Sequence, residues 1–498
     1  MKAIMHLQSL QMRRFWGFLL PCLCITTVGG HAETLGEAVG DAYRHNPGVE
    51  TSRASSRAAQ ERVQQARAQF GPTLTANASY SLAWRRVSQN GTIALRQHGL
   101  TPQLSVSLDQ PLFTFGRLAA SRRIADAGYS ASVADMRAAE QELIANVVIA
   151  YASVLRDEKL VEIARENLSQ LTETRDQISA RYAARYATET DLQQTRNRIF
   201  SGQAQLELAQ GALLASRNRY RNVVGHYPAS LAPLPQLPPL PREIEDAQAL
   251  GKIASPVLEA ARNDLLAAQA RIAQARGNTR PYAGVQASLA RSPLGIENDD
   301  VRELSAQVQV GVTVPLYSAG LLSSTIREAR QLADAATQQV EQTSRDVREN
   351  IGSYWDQLSA TRRALPAYAR AVAAARTALE GAQQQQVAGQ ATSLDVLDTA
   401  RDLLNSRQAQ AQAEAQLYVQ HATLLGAMGQ LRADNFAPDT PVFNPDRYQG
   451  LGWAGQPTGP LVEAVDGLAL DSRFTPSPVS IENASEPGHV MAPEPGKQ

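Results

Sequence analysis

The chain has 498 residues with 48 Lys and Arg against 48 Asp and Glu, so no net charge draws it to a nucleic acid. Aromatic residues make up only 5% of it and the apolar residues are mostly Ala, which argues against a large conventional core even though the length would fill two or three ordinary domains. The only cysteines, Cys22 and Cys24, lie close to the start, which excludes a disulfide framework or thiolate metal site from everything after them.

Residues 1–32 place Lys2, Arg13 and Arg14 ahead of an apolar stretch, Phe15 to Val28, and end at Gly30-His31-Ala32. A basic start, a short apolar run and a small-x-small site predict a secretory signal that is removed. The run is interrupted by Pro21 and is short for a span of roughly 20 residues. Neither cysteine follows the small residue that lipid attachment requires, so N-terminal acylation is not expected.

The rest is written twice. Residues 46–81 align with 255–290 at an offset of 209; QPLFTFGRL (110–118) meets VPLYSAGLL (314–322), ATETDL (187–192) meets ATSLDV (391–396), and Gly225 meets Gly429, all at 204. Such doubling predicts a symmetric architecture. The first repeat, 33–225, opens with a helix over 35–44 and a second from Asn46-Pro47 to about Phe70, where Gly71-Pro72 stops it. A β-hairpin follows at about 73–113. Leu74, Ala76, Ala78, Tyr80, Leu82 and Trp84 alternate with Thr73, Thr75, Asn77, Ser79 and Ser81, and after a polar loop the alternation returns over 103–109. A long helix from Gly116 to about Ala184 and another over 188–225 complete the repeat. A proline-rich crossover occupies 226–250. The second repeat, 251–430, has its hairpin at about 282–316 and its long helix from Gly320 to Gln386, interrupted only by Pro366. The tail, 431–498, is expected to lie at the level of the helix midpoints first and to be disordered after about 456.

Strands of 10–12 residues with one apolar and one nearly uncharged polar face match the length that crosses a bilayer when tilted, and no other stretch after the leader reads as a span. Four strands cannot close a barrel, and lipid does not tolerate open sheet edges, so several chains must contribute. Eight strands would fill their own lumen whereas twelve leave it hollow, and the polar rows favour three chains. The long helices, on the order of 100 Å each, with Ala on several faces, suit a helical cylinder rather than an isolated coil.

Enzyme signatures are absent: no HExxH, no GxSxG and no phosphate loop, and one GxGxxG match, Gly450 to Gly455, lacks the strand and helix that would give it meaning. No cofactor or metal is expected. The informative positions are the two breaks after the long helices, Thr188-Glu189-Thr190-Asp191 and Thr392-Ser393-Leu394-Asp395. A Thr followed three residues later by an acid is a capping box. Asp398 shares a helix face with Asp395. In a trimer the pair would set six carboxylates around one axis and favour cations, the alternative being a solvated face.

The doubled PLF/PLY-x-x-Gly before each long helix, the break Gly389-Gln390-Ala391-Thr392-Ser393-Leu394 and the following Asp395-Val396-Leu397-Asp398 resemble the TolC family of outer-membrane channels over about residues 33–435. The resemblance implies a membrane β-barrel joined to an all-α periplasmic coiled-coil barrel. Its homotrimer has 12 strands, four per chain, and a 12-helix tunnel tapered shut at the breaks. It implies that Asp395 and Asp398 ring the aperture, that Asp191 helps lock it, and that Gly389 and Arg185 mark the adaptor-facing tips. Gln386 and Ala391 stand where the family's Tyr and Arg complete the lock. A passive duct of this kind is opened by a periplasmic adaptor and an inner-membrane ABC transporter, or alternatively an RND pump. Phe443-Asn444-Pro445-Asp446-Arg447-Tyr448 resembles the ending of type I secretion channels, and the missing lipid-attachment cysteine points away from acylated efflux members, so an unfolded protein cargo, such as a repeat toxin, is favoured over drugs. A trimeric coiled-coil adhesin and a periplasmic helical scaffold are the readings from other classes.

Overall fold

A computed structural model of the chain describes residues 32–89, 92–293, 302–438, 443–447 and 458–468. The leader expected over 1–32 lies almost wholly outside these residues, as does the Gly450 to Gly455 match. The first repeat runs α1 (Leu35–His45), α2 (Pro47–Ala68), β1 (Thr73–Gln89), β2 (Thr92–Phe113), α3 (Arg117–Ala183) and α4 (Glu189–Val224). The second runs α5 (Ile244–Ala254), α6 (Pro256–Gly277), β3 (Tyr282–Pro293), β4 (Arg302–Thr313), α7 (Leu321–Val387) and α8 (Ser393–Ala427). Helix α5 crosses the boundary expected at 250. Ile244 is the mate of Leu35 at the 209-residue offset, so the repeat already begins there, hidden in the sequence by the proline-rich text before it.

The strands form one antiparallel sheet in the order β1-β2-β3-β4. Its register carries the alternation from one repeat into the other. Ala76 opposes Val106, Val106 opposes Leu289 and Leu289 opposes Ala306, while the neighbouring row aligns Thr75, Ser107, Ser288 and Gln307. Successive side chains leave a strand on opposite faces, so one face of the whole sheet is apolar and the other bears hydroxyls and amides. On the polar face Thr75 Oγ1 and Ser107 Oγ are 2.7 Å apart, and Ser81 Oγ and Thr101 Oγ1 2.8 Å. The apolar face is bare in the protomer, with Leu82 76% and Val308 74% exposed. The first hairpin is longer than expected, because β1 and β2 continue through the supposed polar loop until Gln89 pairs with Thr92. Arg85, Arg86 and Arg96 break the apolar period there, but strand pairing needs only backbone groups.

The helices form a wall. Helix α3 lies between α2 and α4 on one side and α6 and α8 on the other, and α7 lies beyond α6 and α8. Small residues allow the columns to approach closely, as where Ala268 and Ala275 of α6 meet Ala329 and Ala333 of α7. Each long helix has 67 residues, about 100 Å. Pro366 is accommodated inside α7 without ending it.

Near the midpoint of α3 the wall thickens into the main core, where Ile144, Val147, Val148 and Tyr151 pack with Leu35 and Val39 of α1 and Leu424 and Leu425 of α8. By length and composition α3 is apolar enough to cross a membrane, contrary to the expectation that only the hairpins are. Those apolar side chains serve this core instead. The crossover binds here too. Leu231, Leu234, Leu237 and Leu240 pack partly buried on it, and their spacing of three matches the three residues per turn of polyproline II, one Leu per turn. Tyr151 Oη donates to the carbonyls of Glu33 (2.8 Å) and Ala232 (2.6 Å), which pins the crossover to the chain's start.

Two pieces of the tail are docked on the helices, the first within the stretch expected to be ordered and the second, 458–468, beyond residue 456 where disorder was expected. Phe443 N–H donates to Tyr43 Oη at 3.0 Å, and the Phe443 ring faces the Arg53 guanidinium 5.3 Å away. Further on, α9 (Gly459–Gly467) docks beside the start of α3, with Val462 against Phe70, Leu118 and Ala119. Nine residues give too little periodicity for a helix to be read from sequence.

Candidate functional site

Both long helices end with the same reversal. Tyr186 N–H reaches Arg181 O and Gln390 N–H reaches Gln385 O, each at 2.8 Å, around a left-handed residue: Arg185 (φ 60°) in the first break, Gly389 (φ 75°) in the second. This is the Schellman closure, which normally selects glycine. The first break therefore carries a backbone cost of roughly 1–2 kcal/mol that the second avoids. Tyr186, next to Arg185, is 86% exposed.

An extended Thr then starts each following helix. Thr188 Oγ1 accepts from Asp191 N–H at 3.2 Å, while Asp191 Oδ2 accepts from Thr188 N–H (2.9 Å) and the Thr188 hydroxyl (2.7 Å). Thr392 and Asp395 repeat this at 3.2, 2.8 and 2.7 Å. Both are complete capping boxes. The hydroxyl and backbone N–H of Thr392 hold the Asp395 carboxyl below its usual range.

Asp398 is placed differently. Its Oδ1 lies 2.9 Å from Arg198 Nη2 of α4 and 3.7 Å from Arg401 Nη2 on its own helix. The two acids of the expected ring thus have separate tasks in one protomer: Asp395 caps, and Asp398 ties α8 to α4 across the repeats. Beneath the pair Leu397 packs on Leu171 and Ile199, so the ion pair sits over the contact of α3, α4 and α8. Gln386, which the resemblance had put at the lock, is buried and donates to Ser393 Oγ at 3.1 Å, closing its own hairpin rather than reaching α4.

Arg198 was not visible as a site residue from sequence. It lies two turns below Asp191, but its partner is two hundred residues away and no spacing rule connects them. The same holds for Arg407 and Glu166, 2.6 Å apart between α8 and α3. The chemistry on offer is that of contacts that can break: ion pairs between columns and hydrogen-bonded caps at the breaks.

A sequence profile of the family described as outer membrane efflux protein matches residues 38–226 and 251–430. The chain is 27% identical to outer membrane efflux protein BepC of Brucella suis, over 86% of this chain and 92% of BepC. It is 25% identical to outer membrane protein TolC of Escherichia coli, over 93% and 96%. With alkaline protease secretion protein AprF of Pseudomonas aeruginosa it shares 26% identity over 61% and 64%. The crystal structure of VceC from Vibrio cholerae has the same fold, with a TM-score of 0.68 at 21% identity over 79% of this chain and 96% of VceC. With its doubled helix–hairpin–helix repeats and its matching profile in both halves, the chain belongs to the outer membrane efflux protein family, the TolC-type channels of the outer membrane whose helical domain stands in the periplasm.

Proposed function

We propose that three copies close into a twelve-stranded barrel above a twelve-helix tunnel, and that this passive duct is the outer-membrane exit of a type I protein secretion system. The observation that carries the duct is the continuous pair of rows across all four strands, apolar on one face and polar on the other, ending at β1 and β4, whose outer edges pair with no other strand among the described residues. Edge groups of that kind are tolerated in a bilayer only when another chain pairs them. The Thr, Ser and Gln row then lines a hollow lumen. At the other end the Arg198–Asp398 pair holds α4 to α8, and docking of a periplasmic adaptor near Arg185, Tyr186 and Gly389, driven by an inner-membrane ABC transporter, opens it. Release of Arg198 bares Asp398 toward the axis, which favours cations.

Protein cargo is supported by the likeness to AprF, named for protease secretion, and by a leader without a lipid-attachment cysteine. The likeness to BepC, named for efflux, supports drug export through an RND pump as the second reading. Deleting the chain from its host separates them. Loss of a secreted protein with unchanged drug susceptibility is the expected result; heightened drug susceptibility with an unchanged set of secreted proteins would establish efflux instead. Conductance of the purified protein in planar bilayers tests the duct itself.

A further inference from the structure

Helix α9 is built inside out. Its packed side carries the charge: Asp466 is fully buried, and its carboxylate accepts from Thr114 N–H (2.6 Å), the Thr114 hydroxyl (2.8 Å), Gly116 N–H (3.1 Å) and Ala119 N–H (3.3 Å). Beside it Glu463 pairs with Arg122 of α3. The opposite side is wholly apolar. Pro460, Leu461, Ala464, Val465 and Leu468 are all exposed, Leu461 by 71% and Leu468 by 86%. Spacings of four place them on one helical face.

A surface helix of a water-soluble domain is patterned the other way round. Nor can α9 roll to hide this face, because rolling would strip Asp466 from the positive end of α3 and leave buried N–H groups unpaired. The orientation of the apolar side follows from the sheet. Thr458 Oγ1 donates to Gln110 Oε1 at 2.7 Å, and Gln110 stands two residues beyond Leu108, on the same face of β2 as Leu104 and Val106. Helix α9 therefore starts against the end of β2, on the apolar side of the sheet.

We infer that α9 is an interfacial foot. It lies along the periplasmic rim of the barrel with Leu461, Val465 and Leu468 in the headgroup and acyl boundary of the outer membrane's inner leaflet, continuous with the lipid-facing row of the strands. Asp466 transmits that hold to the first turn of α3. The inference rests on the reading of the sheet as barrel wall, with its apolar row toward lipid.

Cys22 and Cys24 both precede residue 33, so Leu468→Cys, Val310→Cys and Leu208→Cys each provide a single labelling site once the leader is gone. Each full-length trimer is labelled with an environment-sensitive fluorophore and reconstituted into phosphatidylethanolamine and phosphatidylglycerol vesicles containing nitroxide lipids. Val310 reports the barrel and Leu208, 75% exposed on α4, the periplasmic helices. The expected result is blue-shifted emission and strong quenching at positions 468 and 310, and neither at 208. Quenching at 310 with position 468 behaving like 208 overturns the foot and leaves the barrel intact. Absence of quenching at 310 removes the barrel reading and the foot with it. A disulfide between copies at position 468, without quenching, assigns the face to a second copy of the chain and overturns the lipid contact.

Discussion

Helices α3 and α7 are equal in length, begin in the same way and end in the same way, yet one is a core helix and the other an edge. Each starts after a pair of left-handed residues, Phe115 (φ 52°) and Gly116 (82°) for α3, Ala319 (49°) and Gly320 (84°) for α7. Thr114 and its mate Ser318 each offer a side-chain oxygen to the first turn, at 3.1 and 3.4 Å. What differs is the company. Helix α3 has a column on either side and buries twenty-one residues; α7, among the described residues, has columns on one side and buries eight. Near-identical local geometry thus gives opposite burial, and the missing neighbour of α7 is the α2 and α4 column of another copy in the proposed trimer.

The largest test of that contrast is at the core. Tyr151→Ala in α3 removes a fully buried ring and is expected to destabilise the helical domain by about 3–5 kcal/mol, and Tyr151→Phe, which takes the hydroxyl donor from the Ala232 carbonyl while Glu33 O keeps the Ala232 N–H, by about 1–3 kcal/mol. Its repeat mate Trp355 is only partly buried in the protomer, so Trp355→Ala should cost less. Unfolding of the detergent-solubilised protein followed by circular dichroism measures both. Equal losses would mean that the edge is covered as thoroughly as the centre.

Next comes the contrast between the two faces of β4. Val310→Arg places a charge on the apolar row and is expected to cost about 2–4 kcal/mol in membrane insertion, read as loss of folded protein from outer-membrane fractions. Gln309→Arg, one residue away on the polar row, should insert normally and shift ion selectivity toward anions. Similar behaviour of the two variants would break the assignment of faces.

The breaks offer a smaller exchange. Arg185→Gly should relieve roughly 1 kcal/mol at the end of α3, and Gly389→Arg should impose a like cost at the end of α7, since only the side chain at the left-handed position changes. Hydrogen-exchange protection of the last helical turns would register both, and a null effect at 389 would show the second reversal to be indifferent to its glycine. Below that lies Arg198→Ala. The pair with Asp398 is partly exposed, so its stability contribution is under about 1 kcal/mol, but its loss should raise single-channel conductance and cation selectivity. Gln386→Ala, whose bond stays within one hairpin, should leave conductance unchanged. If the two variants conduct alike, the contact between repeats is not the closing one.

Much of this was legible in the sequence wherever a short-range rule applied. Strand alternation gave the two faces, Thr-x-x-Asp gave both capping boxes, and the offsets of 209 and 204 paired the helices. Three features escaped for a common reason. The Arg198–Asp398 pair, the Asp466 cap on α3 and the extra hairpin length around Arg85 and Arg96 depend on groups brought together from distant segments or on backbone pairing that side-chain patterns do not encode. Asp398 shows the limit well. Its spacing from Asp395 predicted a shared face and a shared role, but the partner that separates the two roles comes from the other repeat.

The smallest effect concerns that separation directly. The Asp395 carboxyl is held below its ordinary 3.8 by the Thr392 hydroxyl and N–H, so the folded state binds its proton more weakly than the unfolded state does. Its contribution is therefore complete above pH 3.8 and fades as the pH falls through the lower folded value. Thr392→Ala removes the hydroxyl and should weaken protection of the Asp395 and Val396 amides at neutral pH while flattening the acid-induced loss that wild type shows. Hydrogen exchange, corrected for intrinsic rates across pH 3 to 6, reads this. An undiminished acid response in the variant would mean that a donor other than the Thr392 hydroxyl holds the carboxylate, whereas an Asp395 carboxyl that titrates above its ordinary value once the hydroxyl is gone would point to a second acid across the axis and restore the ring of carboxylates that the single protomer divides between a cap and an ion pair.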